Sequence, residues 1–286
     1  MAKTQDLKRR IRSVKNTMQV TKAMKMVSAA KLRRAQDRIK NSRPYAQQTL
    51  AILQSLAARA GEESHPLLQA RVGKKTHMIV LAGDKGLCGA FNTNIIRAAE
   101  EHARTQLQGH EVTLTAVGKK SLEYFSRHGW NIKQQLVGIF RDIRLSHADE
   151  IADFATKMFL TGEADRVYVV YNEFKSAIQA RAVVQPLLPI SRIESAEGET
   201  HEDYIYEPSV ATLLGALLPH YVRHLIYQAL LESAGAEHAA RMTAMDSATN
   251  NASDLIDSLT LTMNRVRQAS ITTEIIEVVS GAEALG

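Results

Sequence analysis

Proline placement is the strongest limit on what this chain can fold into. Its six prolines stand at Pro44, Pro66, Pro186, Pro189, Pro208 and Pro219. Residues 1–43 and 220–286 contain none, so both ends lack the residue that removes a helical N–H and clashes with the preceding turn. Residues 3–58 read as one helix. Leu7, Ile11, Val14, Met18, Thr21, Lys25, Ser28, Leu32, Ala35 and Ile39 recur at alternating spacings of four and three, and seven of these ten are apolar. That is a coiled-coil seam with a polar gap in its middle. Pro44 is expected to bend the helix, and Gly61 with Pro66 to end it.

Residues 209–284 read as a second helix. Met245, Thr249, Ala252, Ile256, Leu259, Met263 and Val266 follow the same alternation, and six of the seven are apolar. Small and flexible seam residues allow close approach. At about 1.5 Å per residue these helices would reach roughly 80 and 110 Å. Helices of that length exceed a compact domain of this size, so they are expected to project and to meet something else. Aromatics make up only 5% of the chain against 45% hydrophobic residues overall, a balance that suits helix–helix seams.

The middle of the chain has a different period. His77–Ala82, Val112–Val117 and Val167–Tyr171 are β-branched runs of strand length. Residues 179–188 form a further candidate strand, with Pro186 weakening its far end. Helical patterns lie between the runs, over 91–107, 119–127 and 147–161. Alternating strands and helices imply a small, mostly parallel α/β sheet. Residues 191–208, with Glu194, Glu197, Glu199, Glu202, Asp203, Gly198 and Pro208, read as an acidic loop. The fold class is therefore α/β with a long α-helical coiled coil, the α/β domain being inserted between the two halves of that coil. The expected divisions are 1–60, 61–208 and 209–286.

Charge is unevenly spread. Residues 1–43 carry 14 Lys/Arg against Asp6 and Asp37, about +12, so the total of +6 leaves about −6 for the rest. With so few acids, the run Lys8, Arg9, Arg10, Arg12, Lys15, Lys22, Lys25, Lys31, Arg33 and Arg34 is expected to have no i, i+4 partners within the helix. An acidic partner is implied: nucleic acid, an anionic membrane surface or an acidic protein surface. No run of about 20 apolar residues exists to span a membrane. The single Cys88 has no internal disulfide partner, which fits a reducing compartment. An Arg-rich, acid-poor start also has the composition of an organelle transit peptide, but it runs unbroken into a helix with no processing site.

Motifs for catalysis are weak. Gly83-Asp84-Lys85-Gly86-Leu87-Cys88-Gly89 follows the first strand, where a doubly wound domain would hold a phosphate. It is neither G-x-G-x-x-G nor a P-loop, and it reads better as a glycine turn packing strand on helix. Cys88 lacks an obvious paired His and reads as a small buried thiol. His220 and His224 have metal-binding spacing, but Tyr221 stands where a zincin needs Glu, so they read as solvated helix histidines. No paired carboxylates are evident, and no catalytic, cofactor or metal residue is expected. Two competing readings remain: a nucleic-acid-binding coiled coil, and an α/β enzyme using the glycine turn.

Three segments together carry a resemblance. They are Ile11–Lys31 (IRSVKNTMQVTKAMKMVSAAK), Asp84–Gly89 (DKGLCG), and Ala239–Met245 (AARMTAM) with Arg267–Ala282 (RQASITTEIIEVVSGA). The chain resembles the γ subunits of F-type ATP synthases over essentially its whole length. The C-terminal I-T-x-E-x-x-E-x-x-x-G-A pattern is the specific part. Met263 departs from the family's usual Tyr, and Gly83 from its Ser or Thr. The cysteine-bearing insertion of the chloroplast relatives is absent, and the lack of a transit peptide points to a bacterial type.

The resemblance implies antiparallel N- and C-terminal helices with an inserted Rossmann-like α/β domain, in a non-catalytic central-stalk subunit without cofactors. It would couple proton-driven rotation to the conformational cycle of catalytic β subunits. Implied partners are the α and β subunits of the catalytic ring, the ε subunit and the membrane ring of c subunits, with no nucleic acid. Membrane association would come only through the complex, at the cytoplasmic face of the bacterial inner membrane. By resemblance Lys8, Arg9, Arg12, Lys22, Met26 and Lys31 face β subunits, as do Arg267, Gln268, Thr272 and Glu274. Tyr204, Tyr206 and Glu207 would lie near ε and the rotor ring. Val278–Leu285 would turn in an apolar sleeve.

Overall fold

A computed structural model describes residues 2–59, 65–176, 179–190 and 209–283. Ten main elements follow in order: α1 (Ala2–Arg59), β1 (Lys75–Leu81), α2 (Phe91–Gln106), β2 (Glu111–Val117), α3 (Lys119–Arg127), β3 (Asn131–Leu136), α4 (Leu145–Leu160), β4 (Arg166–Phe174), β5 (Ala180–Leu188) and α5 (Val210–Glu283). Two compact units result: residues 1–29 with 241–286, and residues 30–240.

In the larger unit a five-stranded sheet has the order β3-β2-β1-β4-β5. β1 pairs in parallel with both β2 and β4, β2 pairs in parallel with β3, and β5 runs antiparallel to β4. β1 is buried over every residue after Lys75, as expected of a central parallel strand covered on both faces. Its side chains alternate between two cores. Ile79 and Leu81 join α4, the first half of α5 and Ile39, Leu53 and Leu56 of α1. Met78 and Val80 join Phe91, Ile95 and Ala99 of α2 and Phe125 of α3. Each fully buried Leu, Ile or Met contributes about 1.5–3 kcal/mol.

Every strand anticipated from β-branched runs is present, and 180–188 adds the antiparallel edge. β3 was not anticipated. Its sequence, Asn-Ile-Lys-Gln-Gln-Leu, is polar because only one side chain in two is covered. The pairing skips Lys133 between Ile132 and Gln134. On the other edge it skips Leu187, beside Pro186. A bulge with a lysine, and a bulge with a proline, are devices that keep sheet edges from recruiting further strands.

The long helices match their sequence limits to within a residue at each end. α1 continues through Pro44, and α5 continues through Pro219. Gly61 and the acidic stretch 191–208 lie outside the described residues, and Pro66 opens a short 3-10 turn that buries Leu67.

Among the polar side chains buried in the larger unit, His77 is the one set within the sheet and held by two threonines. His77 is fully buried, with Nδ1 2.8 Å from Thr113 Oγ1 and Nε2 2.8 Å from Thr115 Oγ1. The Phe154 ring lies against it at 5.8 Å. Burial, with Lys133 adding repulsion, pushes its pKa down to about 4. The folded state thus binds fewer protons than the unfolded chain between that value and the ordinary 6.5. Its stabilising effect is complete above pH 6.5 and is lost as pH falls toward 4, by roughly 3 kcal/mol in all. Urea unfolding of the full chain at pH 7, 6, 5 and 4 should show this loss, and His77→Gln should flatten it. An unchanged slope in the variant would remove His77 as the cause.

Candidate subunit-contact surface

The smaller unit is built from the seam residues that the heptad alternation selects. On α1, Thr21 and Ser28 are buried and Leu7, Ile11, Val14, Met18 and Lys25 half-buried; on α5, Met245 and Ala252 are buried and Thr249, Ile256, Leu259, Met263 and Val266 half-buried. Thr21 Oγ1 lies 2.8 Å from Thr249 Oγ1, and Lys25 Nζ 2.5 Å from Asp246 Oδ1. Ascending residues on α1 thus meet descending ones on α5, so the pair is antiparallel. The sequence reading left Lys25 in search of an outside anion. Its partner is Asp246, one residue past the seam position Met245, where a flanking acid can answer a seam lysine. Arg10 is likewise engaged, by Asp6 at 3.5 Å.

The remaining basic residues point outward. Lys8, Arg9, Arg12 and Lys22 are exposed, and no ion pair among the described residues reaches them. Met26 is 61% exposed. Arg267, Gln268, Thr272 and Glu274 are exposed on α5. A groove of about 310 Å³ brings Lys8, Arg267 and Glu274 together with Thr4, Gln5, Ser270 and Ile271. Arg9, Arg12, Lys22, Met26, Gln268 and Thr272 lie outside it. From Ile271 to Ala282 every side chain is exposed, including Ile275, Ile276, Val278 and Val279. These five apolar residues, Ile271 included, share one side of the helix, and Glu274 and Glu277 stand on the other.

Lys31 belongs to the larger unit. There a cleft of about 240 Å³ sets it beside Arg34 and Arg38 of α1 and Arg141, over a floor that includes Phe140, Ile143, Leu231 and Ala234. Arg38 donates to Ile143 O and, at 3.0 Å, to Tyr227 Oη. The one acid among the described residues lining this cleft, Asp142, is held by Arg144 at 2.9 Å, and that hydrogen bond keeps its carboxyl below the usual range. The sequence reading missed Arg38 and Arg141 as partners of Lys31, because nothing in their spacing shows that a turn after β3 meets α1. Tyr204, Tyr206 and Glu207 lie outside the described residues.

The glycine turn occupies the switch point between β1 and β4, where doubly wound folds bind ligands. Here its polar groups are engaged within the fold. Gly83 N donates to Asn92 Oδ1 at 2.8 Å, and Gly83 O accepts from Lys120 N at 3.0 Å. Asp84 Oδ1 accepts from Lys119 N and from Gly138 N, at 3.0 and 2.9 Å. α5 crosses this point: Ser233 Oγ donates to Leu81 O at 3.2 Å, and a Cβ on Gly83 would stand 3.2 Å from the carboxyl carbon of buried Glu237. A carboxylate thus sits where a phosphate would have to come. Gly118 closes the turn from below, with φ +86° and no space for a Cβ against Ala82 O. Cys88 is buried, its Sγ accepting from Asn92 Nδ2 at 3.2 Å. His220 is exposed, but His224 is buried, contrary to the reading of both as solvated. Its pKa is lowered by desolvation.

The family model described as ATP synthase matches residues 3–285. The ATP synthase gamma chain of Pelotomaculum thermopropionicum is 50% identical over 286 residues, covering all of both chains. The chain belongs to the ATP synthase gamma chain family. Among solved structures it is similar to a chain of the Tetrahymena thermophila mitochondrial ATP synthase central stalk and c-ring, with 28% identity, TM-score 0.62, and coverage of 80% of this chain and 99% of that one. It shares its fold with a chain of the Euglena gracilis mitochondrial enzyme at 20% identity, TM-score 0.71, covering 99% and 95%. A switch point closed by its own side chains and an outward basic helix are thus features of a gamma chain here.

Closure of the turn can be tested at Asp84. Asp84→Ala removes one acceptor from two backbone N–H groups, so unfolding in urea should become easier by about 1–3 kcal/mol. Asp84→Asn, which keeps an oxygen, should recover part of it. Equal stability of all three proteins would show that the carboxylate does not hold the turn.

Proposed function

We propose that this chain turns as the central shaft of ATP synthase and carries rotation between a membrane ring and catalytic subunits through its exposed helix faces. The chain is a non-catalytic, rotor subunit of that enzyme. The observation that carries the mechanism is the inequality of its faces. One face of the α1–α5 pair is closed by the seam, another presents Lys8, Arg9, Arg12 and Lys22, and the end of α5 exposes Ile271, Ile275, Ile276, Val278 and Val279 on one side and Glu274 and Glu277 on another.

An unequal shaft favours different conformations of identical neighbours according to which side each one meets. Only such differential contact shifts a conformational equilibrium. Rotation then moves the preference from one neighbour to the next. In this reading Lys8, Arg9, Arg12, Lys22, Met26 and Lys31, with Arg267, Gln268, Thr272 and Glu274, touch β subunits through acidic loops. The cleft around Lys31 supports this, since four cations surround it over an apolar floor. Tyr204, Tyr206 and Glu207 meet ε and the c ring. The segment from Val278 onward runs in an apolar sleeve, where few directional bonds oppose turning. In this reading residues 1–60 with 209–286 serve as the helical shaft and residues 61–208 as the inserted α/β domain.

No helix among the described residues is long and apolar enough to cross a membrane. The proposed location is the cytoplasmic face of the bacterial inner membrane, held there by α, β, ε and c subunits.

Charge reversal tests the contact face. In the purified complex, Arg9→Glu with Arg12→Glu should weaken coupling of hydrolysis to proton pumping by roughly tenfold, two modest exposed contacts together. Nucleotide occupancy should be unchanged, because the sites lie on other chains. Loss of nucleotide binding, or undiminished coupling, would overturn the assignment.

A further inference from the structure

We infer that Thr21, Lys25, Asp246 and Thr249 form a register lock between the two shaft helices. They are positioning residues for every outward contact that the shaft makes. The seam around them is apolar and repetitive: Leu7, Ile11, Val14 and Met18 on one helix, Ile256, Leu259, Met263 and Val266 on the other. Taken by itself, apart from the packing of Ile39 against the first half of α5, such a seam is nearly indifferent to a slip of one heptad, because apolar knobs fit successive holes almost equally well. The polar layer is not indifferent.

Thr21 is only 8% exposed. Its hydroxyl has the Met18 carbonyl at 3.0 Å, that of Thr249 has the Met245 carbonyl at 2.7 Å, and the two oxygens stand 2.8 Å apart. Next to them Lys25 and Asp246 pair with side chains 42% and 47% exposed. That exposure makes the ion pair a weak source of stability, but not a weak source of specificity. Moving one helix by seven residues sets Thr21 against Ile256 in one direction and against Met242 in the other. The same slips set Lys25 against Ser253 or Ala239. Either way the threonine loses its cross-helix partner and the lysine its anion. Polar groups at single seam positions specify register at some expense in stability.

The consequence is a fixed surface. Lys8, Arg267 and Glu274 share one groove in the observed register. A slip of seven residues would carry Arg267 and Glu274 about 10 Å along the axis from Lys8. The lock itself stands on the seam geometry, whereas its importance for coupling rests on the shaft reading above.

Cysteine pairs can read the register in the full chain, with Cys88 replaced by Ala. Val14→Cys with Ile256→Cys reports the observed register, since 14 and 256 oppose one another as 21 and 249 do. Val14→Cys with Met263→Cys reports the slipped one. With the polar layer intact, oxidation should join only the first pair. Replacing the layer by Thr21→Val, Lys25→Leu, Asp246→Leu and Thr249→Val should raise the slipped cross-link about tenfold relative to the observed one, without lowering the unfolding temperature. Exclusive retention of the 14–256 bond in that variant would overturn the proposal. If the variant fails to fold, single reversal and exchange decide. Lys25→Asp alone should admit the slipped cross-link, and Lys25→Asp with Asp246→Lys should suppress it again. Equal cross-linking in those two proteins would also sink the lock. Loss of coupling with an unchanged cross-link pattern would count against the shaft contacts instead, leaving the lock in place.

Discussion

Everything that distinguishes this chain from an ordinary small α/β protein depends on one seam, where α1 and α5 meet in opposite directions. Its residues recur every seven positions, so each helix presents a narrow apolar line and leaves the rest of its circumference free. The price of that economy is shallow burial: most of the seam's side chains are half-covered, and only Thr21, Ser28, Met245 and Ala252 in the smaller unit are well buried. A two-helix pair cannot hide more, because a third layer is missing. The same shortage makes the outer faces available to neighbours.

The larger unit solves the opposite problem. Its two cores are complete, with Ile79 and Leu81 on one side of β1 and Met78 and Val80 on the other. Ligand sites in such folds arise where neighbouring crossovers diverge and leave strand ends open. Here that opening is filled by the chain itself: Asp84 holds two backbone amides, Asn92 a third, and Ser233 and Glu237 arrive from α5. The architecture of a nucleotide-binding domain is thus kept while its ligand position is spent on tying α5 to the sheet. That explains how a chain of an ATP-handling enzyme's family can have the frame of a binding fold and no phosphate signature.

Much of this was legible in the sequence because it is periodic. The heptads named the seam residues one by one, and the β-branched runs named four of five strands. β3 escaped because an edge strand covered on one face carries little apolar signal, and its bulge at Lys133 breaks the alternation further. The part of the surface that depends on chain crossing was also hidden. Nothing local to Lys25 announces Asp246, and nothing local to Lys31 announces Arg141. His224 failed for a related reason: helical spacing says which residues share a face, but not which face meets a core. The resemblance supplied the family and candidate contacts, yet it could not say that Lys8, Arg267 and Glu274 share a groove while Gln268 and Thr272 stand apart from it.

Stability and specificity are therefore carried by different parts of the molecule. Apolar burial around β1 is large and non-directional, and it would tolerate many volume-conserving exchanges. Along the seam, burial is small and would tolerate slippage, so direction and register have to come from groups that hydrogen-bond in one arrangement only. For a shaft this division is physically apt. Torque is borne by the relative placement of side chains on the outside of two helices, and that placement is only as well defined as the register between them. A more apolar seam would hold the helices together more strongly and tell its neighbours less about which way it faces.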